Sequence, residues 1–188
     1  MNYKIIQKSA FTVIEKISFH TTENGENTRS VPAFWDACYA DGSVKELGAL
    51  ASDFTYMYGI CYDNPDKSEK RFAYSIAVES EKEVPAGYRK TVIPARTWAV
   101  FPCKGSVSHS IADFWAKTFP EFTRNADYRS LREMDIEAYP DGDTDSEEYL
   151  CEIWIAVTKK ESSGRLKPSV FCRYFAKQNS LRIVIRRL

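Results

Sequence analysis

The amino-acid sequence predicts an α+β fold in which one strand-helix-strand-strand unit is written twice, with antiparallel sheets and pseudo-twofold symmetry. Three observations carry that expectation. Extended runs rich in β-branched and aromatic residues alternate with amphipathic helical stripes, in the same order in both halves. Short matches recur at a nearly constant spacing: Ala33-Phe34-Trp35 against Asp113-Phe114-Trp115 at 80 residues, then Tyr62-Asp63 against Tyr139-Pro140 and Phe72-Ala73-Tyr74-Ser75-Ile76 against Tyr149-Leu150-Cys151-Glu152-Ile153 at 77. The chain has 188 residues, 44% of them hydrophobic, which is enough for one buried core.

Residues 3–20 carry Ile5, Ile6, Phe11, Val13, Ile14, Ile17 and Phe19 between polar positions, the pattern of a strand bent near Ser9. A polar loop over 21–28 leads to Ser30 as a helix N-cap, with Pro32 in the first turn and Phe34, Trp35 and Cys38 as the apolar stripe. Gly42 interrupts this helix, and a short turn follows through Leu47 and Leu50. Strands over 55–62 and 71–79, joined by the turn Asp63-Asn64-Pro65-Asp66, complete a first unit of about 1–84.

The second unit, about 85–160, begins after Pro85-Ala86-Gly87 with an extended run over 88–103. A helix capped by Ser106 or Ser108 carries Ile111, Phe114, Trp115 and Thr118 on one face and is expected to end at Pro120. Strands over 133–139 and 149–157 flank an acidic turn.

With helices on one sheet face, the other is left for a ligand cleft. Alternation then gives Met134, Ile136 and Ala138 to the helices and Asp135, Glu137 and Tyr139 to the cleft. Likewise Cys151, Ile153, Ile155 and Val157 face the core, while Leu150, Glu152, Trp154 and Ala156 face the cleft. The repeat alignment adds Tyr58, Ile60, Tyr62, Ser75 and Ala77, so two carboxylates and several rings are expected to converge on one concavity.

Composition narrows the function classes. The 26 basic and 26 acidic side chains cancel, so no global field favours nucleic acid or membrane. The balance hides a split: residues 161–188 hold seven Lys/Arg against Glu161 alone, leaving an acidic body over 1–160. Five cysteines, no two closer than twenty residues, suggest neither a metal knuckle nor a disulfide framework and suit a reducing cytoplasm. No signal-peptide core or membrane-length apolar run occurs, so a cytoplasmic protein is expected. Gly-rich phosphate loops, HExxH and GxSxG are absent, and no cofactor or metal is expected. Asp141-x-Asp143-x-Asp145 imitates a calcium loop, but Ser146 stands where the sharp-turn glycine belongs, so it reads as a hairpin turn. The 14% aromatic share exceeds what a core requires and hints at a binding cavity.

The segments Asp135-Ile136-Glu137-Ala138-Tyr139 and Tyr149-Leu150-Cys151-Glu152-Ile153-Trp154-Ile155-Ala156-Val157, behind a helix holding Phe114-Trp115, resemble the GyrI-like effector-binding domain family. That family includes the ligand domains of multidrug-sensing transcription activators and gyrase-inhibitor-like proteins. Ala156 departs from its usual proline, and Leu150-Cys151 separates Tyr149 from Glu152. The resemblance covers about residues 2–160 and leaves 161–188 as a basic tail outside the pattern.

It implies a cleft for amphipathic, often cationic, aromatic compounds, with Glu137 deep among rings and Glu152 nearby. A carboxylate buried without a basic partner either takes a proton or awaits a cation, and rings around it attract that cation. Trp154, Tyr139, Tyr58 and Tyr62 are expected ligand contacts, with Tyr74 a further candidate. Trp98 and Trp115 read first as core residues and are retained as contacts. The function expected is a stand-alone small-molecule-binding protein in drug sensing or transcription regulation, with no DNA binding by the body and a separate regulatory protein as a possible partner. The alternative is a hydrolase of strained electrophiles in which Glu137 or Glu152 directs a water.

Overall fold

Ser9 and Ala10 do not bend one strand; they separate two. In the computed structural model, which describes residues 2–64 and 70–160, β1 (Lys4–Lys8) and β2 (Phe11–Thr21) lie near opposite edges of one eight-stranded antiparallel sheet. The other strands are β3 (Met57–Tyr62), β4 (Arg71–Glu79), β5 (Arg89–Ile93), β6 (Arg96–Lys104), β7 (Tyr128–Tyr139) and β8 (Leu150–Lys159). Their order, β1-β6-β8-β7-β3-β4-β2-β5, is symmetric about the β7–β3 pair. Outward from that axis come β3-β4-β2 and β7-β8-β6, and each outermost strand comes from the opposite half of the chain. The expected extended run over 88–103 is likewise two strands, parted at Pro94 and Ala95. The basic tail and the Pro65-Asp66 end of the first unit's turn fall outside the described residues.

Connection lengths dictate the shape of the sheet. Laid flat, β1 and β2 would stand six strand spacings apart, about 29 Å, yet the chain from Lys8 to Phe11 reaches only about 10 Å. The link from Ile93 to Arg96 imposes the same limit, so the sheet must roll. Lys8 Nζ on the edge strand lies 3.1 Å from Glu79 Oε2 on β4, across the roll. The helix-free face therefore turns inward. It is packed by Val13, Ile60, Trp98, Val100 and Ile136, all without accessible surface, together with Phe11, Tyr58 and Trp154.

The outer face carries the helices. α1 (Asn27–Ala40) begins ahead of the expected Ser30 cap, and Pro32 lies inside it. Its buried stripe is Val31, Trp35 and Cys38, and α2 (Ser43–Leu50) adds Val44 and Leu47. Pro120 does not end the second helical run. α3 (Val107–Asp113) passes through a π turn at Phe114–Thr118, closed by the Phe119 N–H on the Phe114 carbonyl, into α4 (Phe119–Asn125). The widened turn before Pro120 relieves the i−4 conflict a proline creates in a regular helix.

β7 starts earlier than 133 and is irregular. Its pairing with β8 stops at Ser130↔Val157 and resumes at Asp135↔Ile155, with Arg132 at φ 54 between them. Beyond the bulge, Met134, Ile136 and Ala138 join the inner cluster, while Tyr139 belongs to the outer core. The expected faces of this strand are thus exchanged. In a rolled sheet the helix-free face is itself a core, so hydrophobicity does not tell the two faces apart.

Candidate ligand-binding site

The axis pair β3–β7 sets Gly59 directly opposite Glu137. Both look outward, to the side that carries the helices, where no side chain on Gly59 fills the space between them. Tyr74 from β4 and Tyr139 from β7 use that space. Their hydroxyls donate to the same oxygen, Glu137 Oε2, each at 2.9 Å. Trp35 Nε1–H from α1 donates to the Tyr74 hydroxyl at 3.0 Å, and the Trp35 ring meets Tyr139 edge-on at 5.8 Å. Tyr39, one turn further along α1, stacks on Trp35 at 6.2 Å, and its buried hydroxyl has no partner among the described residues.

The two oxygens of Glu137 are therefore unlike. Oε2 is anchored by two phenols, whereas no described residue donates to Oε1. No Lys, Arg or His among the described residues pairs with the carboxyl either. Burial pushes it above its ordinary 4.5, and the Tyr139 and Tyr74 hydrogen bonds pull it partly back. Burial and the neighbouring carboxyl raise both phenols well above 10, so they remain donors. The group is a carboxyl with one free lone-pair face, ringed by aromatic side chains and lacking a counter-charge.

The sequence-predicted residues divide between the two faces. Glu137 and Tyr139 are brought together as expected, but on the helix side. Trp115 is also on that side, packed on Phe114 and Phe119 at 5.0 and 5.2 Å within the outer core. Glu152, Trp154, Tyr58, Tyr62 and Trp98 lie on the inner face, so the expected convergence of Glu137 and Glu152 does not occur. Glu152 accepts from Trp154 Nε1–H at 2.8 Å and pairs with Lys4 at 3.0 Å. Trp98, Trp154 and Tyr58 form an aromatic chain with centroids 6.0 to 6.1 Å apart. Tyr62 donates to the fully buried Glu15 at 2.7 Å, which also accepts from Arg89 and Thr91.

The sequence pattern marks neither Trp35 nor Gly59 as a site residue. Trp35 has the spacing of an ordinary helix-stripe residue. Gly59 carried a usable signal, since a glycine inside a strand marks a close approach by another group.

Comparison with known proteins gives the family. No curated protein sequence matches the chain. Among solved structures, SAV2435 bound to tetraphenylphosphonium superimposes with a TM-score of 0.75 at 23% identity, covering 84% of this chain and 94% of that one. A putative transcription regulation protein from Staphylococcus aureus MU50 gives 0.72 at 22%, covering 84% and 98%. EcmrR, in a complex with DNA, gives 0.58 at 18%, covering 85% of this chain and 58% of that one. These likenesses establish the shared fold. The model of the GyrI-like small molecule binding domain matches residues 1–158, and the chain belongs to that family.

Proposed function

We propose that the chain binds lipophilic aromatic cations against Glu137, on the helix side of the β3–β7 pair, in the service of drug sensing or transcription regulation. The observation that carries this reading is the divided carboxyl: Oε2 held by Tyr74 and Tyr139, Oε1 without a donor, and no basic side chain paired with either. An ionised carboxylate so placed lacks only a cation, and the Trp35 and Tyr139 rings favour one that carries apolar aromatic groups. The tetraphenylphosphonium bound to SAV2435, a protein of the same fold, supports that ligand class.

The test is a titration of intrinsic tryptophan fluorescence with tetraphenylphosphonium and, in parallel, with neutral triphenylphosphine oxide. Saturable quenching by the cation, with the neutral compound at least about tenfold weaker, is expected from a charge-dependent site. Equal affinity for the two would show that Glu137 supplies no counter-charge.

A further inference from the structure

The inner face of the roll opens at one end into a cavity of about 270 Å³ on the other side of the sheet from Glu137. Tyr56 and Tyr58 line it, Asp53 and Glu79 bring carboxylates, and Lys8 reaches in from β1. Tyr58 is only 3% exposed, yet its hydroxyl makes no hydrogen bond to any described residue.

Lys8 indicates what the cavity is built to hold. Its ammonium sits 3.1 Å from Glu79 Oε2 and 4.3 Å from the centroid of the Phe11 ring. An alkylammonium between a carboxylate and an aromatic face is thus already part of the fold. The cradle is not saturated: Glu79 stays 40% exposed, and Asp53 forms no ion pair among the described residues. Two carboxylates against one ammonium leave an excess of one negative charge beside two phenol rings.

We propose that this cavity is a second binding site, independent of the one at Glu137, for a small organic ammonium ion of the size of choline. Glu79 is its counter-charge, the Tyr56 and Tyr58 rings are its wall, and Lys8 is a competitor built into the fold. Ring faces attract quaternary ammonium groups through their quadrupoles, and such cages bind choline-sized cations. The volume lies below the roughly 300 Å³ at which drug-sized ligands begin to fit, so the bulky cations proposed for the Glu137 site are excluded. Adjacent residues of one strand serve the two sites, Tyr58 inward and Gly59 outward.

The experiment is a choline chloride titration of the full chain, read by backbone amide NMR shifts against a sodium chloride control of equal ionic strength. Saturable shifts at residues 52–58, Lys8 and Glu79 are expected in the wild type and unchanged in Glu137→Gln. Glu79→Gln weakens binding about tenfold, the loss of one cation contact. Lys8→Met strengthens it at least about threefold, because the competitor is gone. The proposal is overturned if shifts match those of sodium chloride, if they disappear in Glu137→Gln, or if Lys8→Met weakens binding.

Discussion

Replacing Gly59 by alanine probes whether the two phenols need the empty space opposite Glu137. The backbone there is not in the left-handed region, so alanine suits the strand and gains about 0.5 kcal/mol from a less flexible unfolded chain. Its Cβ would overlap the Tyr74 hydroxyl, and would lie 3.0 Å from both Glu137 Oε2 and Tyr74 Cζ. Tyr74 is 3% exposed and held by Trp35 on one side and Glu137 on the other, so its ring has nowhere easy to go. Overpacking of this kind costs about 2 kcal/mol, and a lost hydrogen bond to the carboxyl about 2 more. The net destabilisation is about 3.5 kcal/mol, a fall in Tm of about 7 to 14 °C for a chain of this size. Thermal and urea unfolding of Gly59→Ala, Tyr74→Phe and the double variant decide the matter. With the hydroxyl removed, the cost of the alanine should drop by at least about 1 kcal/mol. An equal cost in both backgrounds would refute the reasoning, because the strain would then not pass through the Tyr74 hydroxyl.

Three further outcomes are expected. The Glu137 carboxyl titrates near 4.5 when unfolded and higher when folded, so its contribution to stability is fully present below 4.5 and declines as pH rises through the folded value. Glu137→Gln removes that decline, and Tm curves for the two proteins that stay parallel from about pH 4 to about pH 8 would contradict it. Cation binding needs the ionised carboxyl, so affinity for tetraphenylphosphonium falls as pH is lowered through the raised value. In Tyr139→Phe, which loses a donor holding that value down, fluorescence titrations should show the fall at higher pH, and an unmoved midpoint counts against the assignment. On the inner face, Arg89→Met strips two hydrogen bonds from the buried Glu15 and should cost about 2 kcal/mol in urea unfolding. A change under about 0.5 kcal/mol would mean that Tyr62 and Thr91 suffice.

Much of this architecture is legible in the sequence because element order and type follow from local pattern. β4 falls where alternation puts it, and Cys151, Ile153, Ile155 and Val157 do face the helices. Glu137 and Tyr139 are legible as a pair because a strand brings residues two apart to one face. The face itself was not legible. The matched offset of 77 aligns Tyr62 with Tyr139, but Tyr62 looks inward and Tyr139 outward, so β3 and β7 correspond only at an even offset. A slip of one residue exchanges every side chain between faces. The exchange could not be detected from hydrophobicity, since Ile136 and Tyr139 are both buried on opposite sides of the same sheet. The roll follows from two links, Lys8 to Phe11 and Ile93 to Arg96, whose significance depends on long-range pairing that no local pattern encodes. Trp35 reaches the site through Tyr74 and Tyr139, residues 39 and 104 further along the chain.

The placement of the counter-charge is tested most directly by calorimetric titration of tetraphenylphosphonium into the wild type, Glu137→Gln and Glu152→Gln. Both residues are acidic strand positions in neighbouring strands, and the register pairs Glu152 with Ala138, one residue from Glu137 and on the opposite face. The account predicts that Glu137→Gln loses at least about tenfold in affinity while Glu152→Gln binds like the wild type. Loss in Glu152→Gln with retention in Glu137→Gln would put the cation inside the roll and contradict it.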